Sequence, residues 1–524
     1  MGMNRRRFVT AASLGLAGFA TPGSRFWGAP QPGAAPNLAR LPQQVQPPDY
    51  IMPRFSLIHP QLFALAGAQP NCWADFNNDG ALDLFVGFMS GLPNRLYRNH
   101  GGQFTEVAAQ VGLADLTDTR AASWGDFDSD GNLDIYVGFT RQSGVRNKLY
   151  RNEGDGKHFT DVAHELGVDA MGECRQVSWI DFDNDGKVDL FVAFRDAPNM
   201  LFHNEGNRFV DVAKDMGVDD PRKTVGCVWF DYNQDGRLDV YVANQDGTLN
   251  GFFRNDGNRF VDVAHELHMD AAGRPPNHGS CGPSVIDYDN DGNLDLFVAS
   301  YGPNFLFHND GGGKFTDVAA AMGVLGGDQA TPSIWGDYNN DGLADLYVSN
   351  YLLDPLNEHD HLYHNSGDHF SGAISPQMLG NGATHGIQWA DYDGDGALDL
   401  AVCNNNPSGH HYLWHNDLPT ERARRSIQVM VVDANGRYTK AGSEVRVFAP
   451  GTRRIFGTRL VDTGSGYCSQ NVMPVHIGLP ADGPVDVEVT SMSNSGRRIT
   501  RMAGVDPNQL PRRVLTVKVS EGGS

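Results

Sequence analysis

Basic residues, cysteine pairs and long apolar runs are all scarce in this chain of 524 residues. Lys and Arg number 41 against 63 Asp and Glu, a formal net charge of −22. Nucleic acid is bound through basic stripes, so that class of partner is excluded, and the acidic surface reads as a source of solubility. Cys72, Cys174, Cys227, Cys281, Cys403 and Cys468 form no CxxC, which argues against zinc and against a redox pair. Disulfides and buried free thiols are equally compatible with their scatter. No apolar stretch reaches the roughly 20 residues needed to cross a bilayer as a helix. Nucleophile elbows, phosphate-binding glycine loops, HExxH and dinucleotide fingerprints are missing too, so the sequence shows no familiar catalytic constellation.

What the chain does have, seven times over, is one acidic loop of nine residues followed at once by a strand-like apolar run. The copies read DFNNDGALD, DFDSDGNLD, DFDNDGKVD, DYNQDGRLD, DYDNDGNLD, DYNNDGLAD and DYDGDGALD. Side-chain oxygens fall at positions 1, 3, 5 and 9, and glycine at position 6. The first three loops supply Asp75, Asn77, Asp79 and Asp83, then Asp126, Asp128, Asp130 and Asp134, then Asp181, Asp183, Asp185 and Asp189. The fourth and fifth supply Asp231, Asn233, Asp235 and Asp239, then Asp287, Asp289, Asp291 and Asp295. The last two supply Asp337, Asn339, Asp341 and Asp345, then Asp391, Asp393, Asp395 and Asp399. Alternate side chains turned inward around a sharp glycine turn are how a short loop wraps a hard cation. With a backbone carbonyl near position 7, each loop has oxygen enough for calcium, so up to seven Ca2+ ions are expected on one face. The loops with Asn77, Asn233 and Asn339 at position 3 carry one formal charge fewer and are expected to bind more weakly.

Successive loops start 50 to 56 residues apart. Each unit reads as four strands: one ending before the loop, one such as LDLFVG after it, an LYRN-like third and an FTDVA-like fourth. Four strands in each of seven units predict an all-β fold, a seven-bladed β-propeller with calcium-binding loops. The fourth motif is blurred in unit six and missing from unit seven, whereas RFSLI, from Arg54, precedes unit one. That segment is expected to cross back as the outer strand of the seventh blade, removing two exposed sheet edges.

In such a ring the first strand of each blade lines the channel. Six residues before the loops stand Gln69, Arg120, Arg175, Val225, Cys281, Thr331 and His385, which would encircle the mouth opposite the metal face. Arg120, Arg175, Cys281 and His385 are the candidate ligand-binding residues, the guanidiniums suiting an anion or carboxylate. The histidine pairs His359/His361 and His410/His411 read as exposed polar residues, a transition-metal site being the less favoured alternative. His203, His308, His364 and His415 recur in the third strand beside Arg98, Arg151 and Arg254 at equivalent places, and read as structural.

On these motifs residues 54–416 resemble the FG-GAP/VCBS repeat family, which implies a calcium-binding propeller like those of integrin α-subunit heads. The tail, 425–520, resembles the ASPIC/UnbV domain on AGSEVRVF from Ala441, GSGYCSQ from Gly464 and VHIGL from Val475, and is expected to form a small C-terminal β domain. It departs from that pattern at SMSNSGRR, from Ser491, where the family has a Trp-Pro-x-Gly segment. Together the two parts look like a bacterial member of the cartilage acidic protein family.

The N-terminus, with NRRRFVT from Asn4, resembles a twin-arginine export motif. Residues 1–29 then read as a cleavable signal and 30–53 as a linker, placing the protein in the periplasm or outside the cell, where calcium is abundant. The expected function is an exported calcium-binding propeller that binds a protein or a glycan on the face opposite its metal loops. The alternative is an extracytoplasmic enzyme with its active site at the propeller mouth or in the groove against the C-terminal domain.

Overall fold

The computed structural model describes residues 51–520 apart from 155, 327–328, 352–358, 375–377, 379–382 and 406–408. The expected signal, nearly all of the linker and the spacer from Leu352 to Glu358 lie outside the described residues.

The repeats fold into seven antiparallel sheets of four strands, one of which gains a fifth. In the first sheet Ala68–Ala74, Asp83–Phe88, Arg95–His100 and Gln103–Glu106 lie side by side in chain order. The seventh sheet breaks that order. Its outer strand is Phe55–Ile58, with Phe55 opposite Asn416 and Ile58 opposite Leu413, the expected return of RFSLI. The blurred motif of unit six still makes the strand Phe370–Gly372. The innermost strands are Ala68–Ala74, Thr119–Gly125, Cys174–Ile180, Thr224–Phe230, Gly279–Ile286, Ala330–Gly336 and Thr384–Ala390. Each packs on the next and the last packs on the first, so the sheets close into a ring.

Two recurring side chains join neighbouring sheets, an aromatic in six of the seven units, with Val285 in its place in the fifth, and an asparagine in all seven. The buried aromatic that ends an innermost strand stacks on the aromatic at position 2 of the preceding loop: Trp124 on Phe76, Trp179 on Phe127, and Trp73 on Tyr392 across the closure. The asparagine of each third strand reaches back to the same preceding loop. Asn152 Nδ2 donates to the Phe76 carbonyl at 2.8 Å, Asn204 to Phe127 at 2.9 Å, and Asn99 to Tyr392 at 2.7 Å, again across the closure. A buried carbonyl left unpaired is costly, so these latches account for the asparagine of the LYRN-like motif in every unit.

The tail adds two further sheets. Ser426–Asp433 lies between Val475–Gly478 and Val514–Val519, while Ile455–Leu460, Glu444–Phe448, Val485–Ser491 and Arg498–Val505 form a four-stranded antiparallel sheet. Ile427, Val445, Ile477, Val487 and Leu515 build the core shared by these two sheets. The described residues from Ile51 onward form one compact unit. The six cysteines are free and buried. No helix among the described residues is long and apolar enough to cross a membrane.

Candidate functional site

Each acidic loop joins the first and second strands of its sheet, so the seven loops occupy corresponding ends. The turn is built alike in each. Position 4 is left-handed (Asn78 φ 56°, Ser129 58°, Asn184 60°), and so is the glycine at position 6, from 86° at Gly80 to 98° at Gly396. Only glycine takes the latter without strain, which is why it recurs. The position-1 carboxylate folds inward and accepts the glycine N–H, as in Asp75 Oδ2 to Gly80 N at 2.7 Å and Asp337 Oδ2 to Gly342 N at 2.8 Å.

Position 9 anchors the loop to the sheet. Asp83, Asp134 and Asp189 each accept the third-strand asparagine N–H through Oδ1 at 2.7–2.8 Å. The other oxygens of Asp134 and Asp189 accept the backbone N–H of the position-2 residues, Phe127 and Phe182, at 3.2 and 3.3 Å. In three loops, carboxylates from positions 3 and 9 and a histidine nitrogen gather within 4.8 Å of one another: Asp183, Asp189 and His203; Asp289, Asp295 and His308; Asp393, Asp399 and His415. Asp126, Asp128 and Asp134 form such a group from carboxylates alone. Six buried carboxylate oxygens have no hydrogen-bond donor: Asp83 Oδ2, Asp126 Oδ1, Asp181 Oδ1, Asp239 Oδ2, Asp287 Oδ1 and Asp399 Oδ2. Acceptors buried without donors are expensive, and a divalent cation ligated by oxygen would satisfy them.

Burial pushes these carboxyls up, to about 8 at Asp83 and Asp181, about 7 at Asp287 and Asp399 and about 6 at Asp126, Asp189 and Asp295. The calcium-free fold therefore holds protons that an unfolded carboxyl, at about 4, has released. Stability arising from these protons is present at low pH and is lost as pH rises from about 4 to about 8. The melting temperature of chelator-treated protein is accordingly expected to fall between about pH 5 and about pH 8, and added calcium to reverse the fall. A flat profile in scanning calorimetry would contradict this account of the loops.

The third-strand histidines pair with the loop carboxylates. His308 and His415 are raised to about 9, chiefly by the pairing of Nδ1 with Asp295 and Asp399 at 3.2 and 3.1 Å. In the loops with asparagine at position 3 the amide turns inward instead. Asn77, Asn233 and Asn339 donate to their own position-5 carboxylates, Asp79, Asp235 and Asp341, at 3.0–3.1 Å.

The C-terminal sheets lie against the loops. Gln428 Nε2 donates to Asp391 Oδ2 at 2.6 Å, Arg446 to the Gly292 carbonyl at 2.9 Å, and His476 pairs with the Gly396 carbonyl at 3.1 Å. Arg497 bridges Asp231 at 3.0 Å and Glu444 at 2.6 Å. The fourth loop thus holds a tethered cation in addition to its asparagine. It should be the weakest calcium site, and Arg497→Met should strengthen it; calcium titration showing the fourth site unchanged would refute the competition.

At the other end of the channel the seven equivalent positions share one backbone irregularity. The strand register shifts around Gln69, Arg120, Arg175, Val225, Cys281, Thr331 and His385, each of which lies in a β-bulge of its innermost strand. Bulges re-aim side chains. Arg120, Arg175, Cys281 and His385 are all buried, yet they do not line an open funnel. The segment 462–472 runs into the channel and brings Tyr467 among them. Its hydroxyl is 3.4 Å from Arg120 Nη2 and 3.4 Å from Arg175 Nη1, and its ring centroid is 5.9 Å from that of His385. The Cys281 thiol, pushed up to about 12 by burial, accepts from Gln245 Nε2 at 2.9 Å. Of the histidine pairs, His361 stacks on Tyr363 and His410 packs tilted against Tyr412, while His411, expected to be exposed, is buried because its side chain turns inward onto Phe63.

Tyr467 is the residue that reading the repeats misses. Its signal was the GSGYCSQ segment, in which a side chain at Gly466 would come within 1.8 Å of the Ile387 carbonyl. Glycine there permits the crossing.

The FG-GAP-like repeat model matches residues 75–137, 139–192, 181–242, 231–298, 287–348 and 352–402. Cartilage acidic protein 1 of Xenopus tropicalis is 32% identical over 211 residues, 37% of this chain and 31% of that protein. Its Homo sapiens counterpart is 36% identical over 98 residues, 18% of this chain and 14% of that protein. The match thus spans less than a third of either relative. Among solved structures, an Agrocybe aegerita lectin specific for non-reducing terminal N-acetylglucosamine aligns over 67% of this chain and 90% of its own, with 18% identity and a TM-score of 0.39. BBS1N, in complex with ARL6DN, aligns over 70% and 97%, with 11% identity and a TM-score of 0.44.

Proposed function

Because the chain belongs to the FG-GAP-like repeat family, we propose that it is an exported, seven-bladed calcium-binding β-propeller that binds a protein or a glycan at the mouth opposite its acidic loops. The donors at positions 1, 3, 5 and 9 would hold up to seven calcium ions, and calcium, when bound, would neutralise loops that otherwise crowd up to four carboxylates together. The observation that carries the metal reading is the set of buried carboxylate oxygens left without donors. Residues 425–520 act as an ASPIC/UnbV-like layer bracing the metal face, and residues 1–29 direct twin-arginine export to the periplasm or beyond.

The competing reading is an enzyme at the same mouth, favoured by the placing of a phenol between two guanidiniums. Metal analysis of protein purified from its native host separates the two. Calcium in several-fold molar ratio, without stoichiometric copper, iron or zinc, supports the binding module. Turnover of a small molecule, abolished by Arg175→Ala or His385→Ala, would replace it with the enzyme.

A further inference from the structure

Arg120 and Arg175 stand on neighbouring innermost strands, are each more than nine-tenths buried, and aim at one phenol oxygen. Their charge is poorly matched. Arg175 has Glu173 at 3.3 Å, whereas the closest side-chain partner of Arg120 is the neutral amide oxygen of Gln69. The Nε of both guanidiniums has no hydrogen-bond partner. Two buried cations facing one carboxylate leave an excess positive charge inside a chain whose formal net charge is −22. Removing a guanidinium from water without a compensating anion is costly, so the arrangement calls for one.

The surrounding backbone is committed to this geometry. Tyr467 and Cys468 are consecutive left-handed residues, φ 70° and 62°, held between strands on either side. Such strain in residues other than glycine clusters at ligand sites. The hydroxyl-to-guanidinium distances of 3.4 Å are long for hydrogen bonds, so Tyr467 guides the two cations without satisfying them. The ring lies just below the surface: Tyr351, 38% exposed, packs edge-on against His385 at 5.1 Å, and the Glu173 side chain is one-fifth exposed.

We infer that the channel mouth seats a carboxylate, gripped by Arg120 and Arg175 and oriented by the Tyr467 hydroxyl, the group being carried by a uronic-acid sugar or by a free organic acid. This rests on the mouth being the binding face, and it gives that face a ligand class. A guanidinium pair matches a carboxylate in plane and charge, and the phenol adds a donor that a neutral sugar would not require.

The test is calorimetric titration of the calcium-loaded full chain with methyl glucuronoside, its neutral analogue methyl glucoside, and succinate. Both acids binding identifies a seat for free carboxylates, and the glucuronoside alone binding identifies an acidic sugar. In either case Arg120→Gln should weaken binding roughly 10-fold or more. Tyr467→Phe, nearly isosteric, should weaken it less while leaving the melting temperature in place, which guards against a folding defect in the arginine variant. Glucoside binding as well as glucuronoside, with Arg120→Gln silent, overturns the carboxylate assignment but leaves the binding module standing. No acid binding at tens of millimolar overturns the seat itself. Ultraviolet difference spectra of wild type against Tyr467→Phe close the remaining route: an ionised tyrosine at neutral pH would mean that Tyr467 is itself the missing anion, and the seat would be refuted.

Discussion

Stripping calcium with a chelator is expected to lower the melting temperature by many degrees. A ligand that binds the folded state alone stabilises it by about 2.7 kcal/mol per independent site at a hundredfold excess over Kd, so vacating even two loops removes about 5 kcal/mol. In the calcium-free loop, carboxylates such as Asp126, Asp128 and Asp134 are held within 4.8 Å of one another, and their repulsion opposes the turn between the first two strands. Asp185→Ala takes away the position-5 donor of the third loop, and it should trim the calcium-dependent shift by about one site's worth without disturbing Tyr467. A melting temperature that ignores both chelator and calcium would reduce the acidic loops to hydrated turns.

The second large effect is expected from Gln470→Leu. The Gln470 side chain sits in the channel and pairs with both backbone groups of Trp179: the N–H donates to Oε1 at 2.6 Å, and Nε2 donates to the carbonyl at 3.0 Å. It also donates to the Asp462 carbonyl at 2.8 Å. Leucine fills similar space and leaves two buried backbone groups of Trp179 and the half-buried Asp462 carbonyl without this partner, the buried ones costing about 1–3 kcal/mol each. A loss of roughly 3 kcal/mol or more in chemical denaturation is predicted; a loss below about 1 kcal/mol would mean that water replaces the amide.

The ring was legible in the sequence because every blade repeats its instructions. The aspartates and the position-6 glycine recur in all seven units and the strand-end tryptophan in six, and RFSLI, before the first unit, supplies the outer strand that the seventh lacks. The purpose of several repeated residues was not legible. The third-strand asparagine shows its use only when the preceding sheet is in place, since Asn152 answers a carbonyl at Phe76. The loop carboxylates that pair with His203, His308 and His415 were not legible either, because they lie 13 to 22 residues earlier, in the loop or at the start of the second strand. The tail was the least readable part. Arg497, Gln428 and Tyr467 occur once each and have no period to betray them, and their partners lie far off in the chain. The mouth residues were picked out by topological equivalence, which places Arg120, Arg175, Cys281 and His385 at one register of the innermost strands but did not foresee that the chain would fill the space between them.

The threaded segment also dictates an order of assembly. Thr463 pairs with both backbone groups of Trp229, Asn471 receives the Trp73 N–H, and the Gly466 carbonyl receives that of Ile387, so one short stretch touches the first, fourth and seventh sheets at once. These partners come to face one another only after the hoop has formed, and the stretch that joins them leaves the ribosome after all seven. Synthesis therefore builds the socket before the cork. Seating the cork is a late step that senses whether the hoop is complete: a sheet out of place would leave it with unmatched polar groups, and a chain carried abroad already folded would travel with this inspection passed.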